Sequence, residues 1–138
     1  MNAPFEITQL AAKDTFELEL NNANGEPIFA AEGQRISVTV YGPGSKQHQA
    51  AQARRNQRIM DRMAKRGKAK LSAEEQRIEQ AEYLGACTKS FNHWAYKGNA
   101  DQGAIVAAFA DPTIGFIADQ VSAAIGDWAN FSSSSPTS

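Results

Sequence analysis

The chain has 138 residues, a single cysteine (Cys87) and no run of apolar residues approaching membrane-spanning length. One thiol excludes an internal disulfide framework and fits a reducing compartment. A spanning helix takes roughly 18 or more consecutive apolar residues, so none is expected. The opening residues, MNAPFEITQL, lack the basic start and continuous apolar core of a signal peptide. Together these absences predict a soluble, cytoplasmic chain. Basic residues are also missing from a long stretch. After Lys97 the only charges are Asp101, Asp111, Asp119 and Asp127.

What is present is charge sorted by position in a chain of net charge −1. Most of its fourteen Lys and Arg residues fall between Lys46 and Lys70, where Asp61 is the only acid. Near-neutrality gives no general attraction to nucleic acid or membrane, so any such binding rests on the local basic stretch. A hydrophobic content of 42% and a charged content of 21% are ordinary for a globular protein. The length suits one domain with its own core. The expected fold class is α+β in a single domain over residues 1–131. It comprises a small N-terminal β element (1–41), a projecting basic helix (45–66) and a C-terminal helical core (72–131), before a disordered tail (132–138).

The β element is read from alternation. In Phe16-Glu17-Leu18-Glu19-Leu20 apolar side chains alternate with acids, and Ile36-Ser37-Val38-Thr39-Val40 repeats the pattern with β-branched residues. Between them Asn24-Gly25 favours a tight reversal. Phe5-Glu6-Ile7 is a candidate for a further short strand. A lone hairpin is marginal in water, so these strands must pack on helices or pair with another chain. Gly42-Pro43-Gly44 then breaks the sheet, and Ser45 suits a helix N-cap. From Lys46 to Arg58 the only apolar residues are Ala50, Ala51 and Ala53. A helix so poor in apolar side chains either projects into solvent or lies against something polar.

Gly67 is the expected helix end and Lys68-Ala69-Lys70 a basic linker. Ser72-Ala73-Glu74-Glu75 reads as a capping box. Ile78, Ala81, Leu84, Cys87, Phe91 and Trp94 recur every three or four residues, which predicts one long helix closed by Lys97-Gly98-Asn99. A short apolar helix is expected from Gln102 to Ala110. Asp111-Pro112 marks the start of a last helix lined by Ile114, Ile117, Val121, Ile125 and Trp128.

No constellation for chemistry emerges, so no enzyme, metal or cofactor is expected. His93 lies six residues from Cys87 and does not share its helical face. Cys87 reads as core and His93 as a surface or boundary residue, and without a second cysteine nearby a zinc site is not supported. Glu74, Glu75, Glu79 and Glu82 are explained by the helix dipole and solvation. Gly42, Pro43, Gly44 and Ser45 read as a structural corner, lacking the Lys-Ser/Thr of a phosphate-binding loop. The basic helix keeps three readings: a solvated face, an acidic protein partner, or nucleic acid. Its arginines fall i to i+4 along one ridge, and guanidinium groups bind carboxylates bidentately. It has no interleaved aromatics to stack on bases. The candidate partner-binding residues are Arg54, Arg55, Arg58, Arg62, Lys65 and Arg66. Trp128 and Phe131 read as core or C-terminal staple residues.

Two stretches carry a resemblance. The first is Val40-Tyr41-Gly42-Pro43-Gly44-Ser45-Lys46, continued by Ala50-Ala51 and Arg54-Arg55-Asn56-Gln57-Arg58. The second is Asp111-Pro112, Asp119-Gln120-Val121, Ala124-Ile125 and Asn130-Phe131. In order and spacing, over roughly residues 15 to 131, the chain resembles the tail assembly chaperones of tailed phages. It departs from them at Gly44, where an acid would stand, and in a middle segment whose tryptophans are represented only by Phe91 and Trp94. The resemblance implies a non-enzymatic cytoplasmic factor of the bacterial host that holds the tape-measure protein and recruits tail-tube subunits. Such a factor is absent from the mature virion. The charge sorting adds an expectation of self-association, with basic helix against acidic half, into an open array. The competing readings are a structural neck or tail-completion protein of the virion and a small nucleic-acid-binding regulator.

Overall fold

A computed structural model of the chain describes residues 3–66 and 71–132. Gly67, the Lys68-Ala69-Lys70 linker and the tail from 133 onward lie outside the described residues, as does the side chain of Arg66. The fold is α+β, with a three-stranded antiparallel sheet near the N-terminus and helices after it.

Strands β1 (Thr15–Glu19) and β2 (Ser37–Tyr41) pair from Thr15↔Tyr41 to Glu19↔Ser37. The alternation does the sorting, since Val38 and Val40 are buried while Glu17 and Glu19 are exposed. The connection is longer than a tight hairpin. Asn22 makes the first reversal, its Oδ1 accepting from the amides of Asn24 and Glu26, with Gly25 in the left-handed region at φ 84°. A second turn at Ala31–Gly33 returns the chain, so that Ile28 is hydrogen-bonded between Leu20 and Ile36. Phe5-Glu6-Ile7 forms no strand. Its backbone amides find no sheet edge, and Ile7–Leu10 closes on itself as a 3-10 turn.

Helix α1 (Lys46–Arg66) starts at the Ser45 cap, whose hydroxyl accepts from the His48 amide and donates to the Gly42 carbonyl. Helix α2 (Ala73–Ala86) opens with the full Ser72/Glu75 capping box. It does not continue to Lys97. The chain leaves helix at Cys87 and forms β3 (Thr88–Asn92), which completes the sheet in the order β1-β2-β3. The apolar spacing through Phe91 is compatible with either period, and the open edge of β2 decides. Val38 pairs with Phe91 and Ser37 with Asn92, while Thr88 Oγ1 donates to the Leu84 carbonyl and seals the helix end. His93 then takes φ 70° and ends the strand. Lys97-Gly98 closes a separate turn, bridged between Tyr96 and Asn99, rather than a helix.

Helix α3 (Gln102–Ala110) is capped by Asp101. Asp111 caps a 3-10 turn, Pro112–Ile114, that leads into α4 (Gly115–Ile125). Ile105, Phe109, Ile117, Val121 and Ile125 enter one core with Leu20, Val38, Leu84 and Cys87. Phe131 is fully buried at the end of a last 3-10 turn, edge-on to Phe16 at 5.8 Å. Trp128 departs from the α4 face and is 58% exposed, because the helix ends at Gly126 and Asp127 caps a new turn.

Candidate functional site

The middle of the basic ridge, Arg58 and Arg62, faces its own chain. Glu79, on the second turn of α2 and only 8% exposed, accepts from Arg58 Nε at 2.9 and 3.1 Å. Arg58 Nη2 lies 2.7 Å from the same carboxylate, and Arg62 Nη2 donates to it at 3.1 Å. Glu82 adds a longer pair to Arg58 at 3.5 Å. One turn further along α2, the Arg55 guanidinium sits 4.9 Å from the centre of the Tyr83 ring. The Tyr83 hydroxyl meets His48 Nε2 at 3.0 Å. Glu79 and Tyr83, spaced i to i+4 on α2, thus meet Arg62, Arg58, Arg55 and His48 in antiparallel order on α1. The expectation of a projecting basic helix is corrected over this stretch: α1 lies against the polar face of α2.

Burial alone would raise the Glu79 pKa. The hydrogen bonds and charges of Arg58 and Arg62 outweigh that and hold the carboxyl below its ordinary value. The hydrogen bond to Glu79 raises Arg58 against the opposing effect of burial. Burial lowers the His48 pKa, which favours the neutral imidazole. Burial likewise pushes the Cys87 thiol up to about 11, so it is a core residue and a poor nucleophile at neutral pH. His93 is exposed, as expected. Among the described residues, no group of three His, Cys, Asp or Glu side chains could hold a metal ion. No single described helix is long and apolar enough to cross a membrane.

The candidate binding residues therefore separate. Arg58 and Arg62 are engaged by Glu79, Arg55 covers Tyr83, and Arg54 and Lys65 are exposed. The acids of α2, read from sequence as a matter of dipole and solvation, need correcting at Glu79, which is the anchor of this contact. Its signal was the i to i+4 spacing that it shares with Tyr83. At the corner, a Cβ on Gly42 would stand 2.6 Å from the Phe131 ring, so the glycine is what lets that ring seat. Gly44 lies beside the Trp128 ring, and Pro43 is half-buried.

Among the described residues, apolar surface is uncovered at several places besides Phe29, Ile78 and Trp128. Met60 and Met63 are exposed on α1, and at roughly 100° per residue Met60 lies about 200° around the helix from Arg58, away from α2. Phe5, Ile7 and Leu10 are exposed on the N-terminal segment. A cavity of about 380 Å³ opens between the β1–β2 connection and the start of α4, lined by Leu20, Ile28, Ile36, Trp94, Phe116 and Ile117.

No family model, no curated protein and no solved structure matches the chain.

Proposed function

We propose that the chain is a tail assembly chaperone of a tailed phage. In this reading it binds the tape-measure protein and tail-tube subunits in the host cytoplasm, without catalysis, and leaves before the virion is complete. The observation that carries the reading is the outer face of α1. With Arg58 and Arg62 turned to Glu79, the face left for a partner is Met60 and Met63, with exposed Arg54 and Lys65 elsewhere on the helix. Methionine side chains adapt to irregular apolar stripes, and free cations favour a client with acids beside its stripe. A long amphipathic helix has that chemistry.

The same geometry weighs against the nucleic-acid reading, because guanidinium groups already held by a carboxylate are not free to neutralise phosphates. Pulldown of the tagged chain from phage-infected cells tests both. Nuclease-insensitive recovery of a long helical protein and a tube subunit, lost in Met60→Glu/Met63→Glu, supports the chaperone. Recovery of DNA or RNA that falls away at high salt overturns it. Finding the chain in purified virions by mass spectrometry would move it to the structural neck or tail-completion reading.

A further inference from the structure

We infer that the cavity beside Trp94 is a docking site for the N-terminal segment of a second copy of this chain. The segment is built to be held by something. Phe5, Ile7 and Leu10 are 65%, 68% and 65% exposed, and none of them packs on the core. Residues 7–10 contain no buried side chain, and the hydrogen bonds of the segment are local: Thr8 Oγ1 to Glu6, the Gln9 amide to Glu6 and the Ala11 amide to Thr8. Ordering three large apolar side chains in water brings no gain unless they are covered.

The cavity has matching shape and charge. Its walls are the apolar side chains of Leu20, Ile28, Ile36 and Trp94 on one side and of Phe116 and Ile117 on the other. At about 380 Å³ it accommodates an aromatic ring together with an aliphatic side chain. Lys97 is the one charged lining residue, with its ammonium 5.4 Å from the Tyr96 ring. Glu6 is the one charged residue between Ala3 and Ala12. An acid flanked by Phe5 and Ile7 thus meets a cation at the rim of an apolar pocket.

The chain's own segment is poorly placed to serve. It leaves the core at Lys13, whose amide donates to the Phe131 carbonyl, whereas the cavity opens beyond Leu20 at the other end of β1. Five strand residues separate the two by about 17 Å at the usual rise per residue. A segment doubling back along the unpaired edge of β1 would carry Glu6 past Glu17 and Glu19. A neighbouring molecule presents the segment without that repulsion.

The test uses the purified full chain with no client, so it is independent of the chaperone reading. Sedimentation over a wide concentration range is expected to show mass above the monomer, rising with concentration. Phe5→Ser/Ile7→Ser, at exposed positions, is expected to keep the native circular dichroism and melting curve and to sediment as a monomer. Lys97→Glu should weaken association by about tenfold, and Glu6→Lys in the same chain should restore it. In a Trp128→Phe background, Trp94 emission should shift to the blue as the wild-type segment docks. A monomer at every concentration overturns the inference, including the case where removing the segment still changes Trp94 emission, which means docking within one chain. Association that ignores both the segment and the charge swap also overturns it.

Discussion

The two ends of α1 are held to the rest of the chain by different physics. At its start, Ser45, His48 and Ala51 are buried among the corner, Tyr83 and the core. Three turns on, the contact is Arg58 and Arg62 against Glu79, with Met60 and Met63 facing away. Apolar burial is indifferent to moderate salt, while partly exposed ion pairs are screened by it. The difference shows what the charge sorting does first. The basic segment finds its acidic partner in α2, and what remains for another molecule is a smaller, more apolar surface.

The largest effect should come from the packed end. Phe131→Ala removes a fully buried ring that seals the corner and should cost about 3–5 kcal/mol in urea unfolding. Gly42→Ala should cost about 1–3 kcal/mol, because its Cβ would meet that ring at 2.6 Å. The two should be non-additive, since removing the ring removes the clash. Strict additivity would mean that the corner and the C-terminal turn do not form one unit.

The distal end should respond less and differently. Glu79→Ala leaves two guanidinium groups without their carboxylate, and Arg58 is already 31% exposed, so about 1–3 kcal/mol is expected. The wild-type advantage should shrink as salt is added. From sequence alone, reversing Arg55 and Arg58 to Glu would be expected to leave folding intact. With Glu79 and Glu82 opposite, that double variant should be destabilised, and Arg58→Glu with Glu79→Arg should recover part of the loss. If Glu79→Ala unfolds like the wild type at every salt concentration, the contrast between the two ends is lost.

How much of this was legible follows from where local signals meet tertiary ones. The alternation in residues 16–20 and 36–40 and the Ser72/Glu75 box each act within one element and gave the element they announced. Asp111-Pro112, by contrast, opens a 3-10 turn, and the last helix begins only at Gly115. β3 was hidden because Cys87 and Phe91 continue a helical spacing, and only the open edge of β2 makes a strand of Thr88–Asn92. The arginine ridge was legible as a ridge, but its partner was not. Four acids on α2 look alike in sequence, and burial singles out Glu79 only once α1 packs against it.

Acid should separate the two ends by pH. The folded chain holds His48 below its ordinary pKa of 6.5, so the unfolded chain takes the proton more readily. The stability from neutral His48 is complete above about 6.5 and falls as pH drops towards its folded value. Glu79 is held below its ordinary 4.5. Its contribution is complete above that value and is lost as pH falls through the lower folded one. Melting temperature should therefore decline in two stages. His48→Gln should flatten only the first and Glu79→Gln only the second. A single stage that both substitutions shift would mean that α1 detaches as one piece.

The smallest effect tests whether sequence period or observed turn describes the C-terminus. Ile125 and Trp128 are three apart, which would keep Trp128 on the buried face if α4 continued. Instead Gly126 ends the helix, Asp127 caps the 3-10 turn by accepting from the Ala129 amide, and Trp128 lies beside Gly44 while Phe131 turns inward. Trp128→Ala should then cost under about 1 kcal/mol, in the range of surface substitutions, against several for Phe131→Ala. In the wild type, iodide should quench Trp128 more readily than Trp94, which is stacked on Phe91 at 3.7 Å. A cost for Trp128 that rivals Phe131 would mean that the ring is covered in solution. The periodicity of α4 would then have been the better guide, and the uncovered surface of the chain would be smaller by one tryptophan.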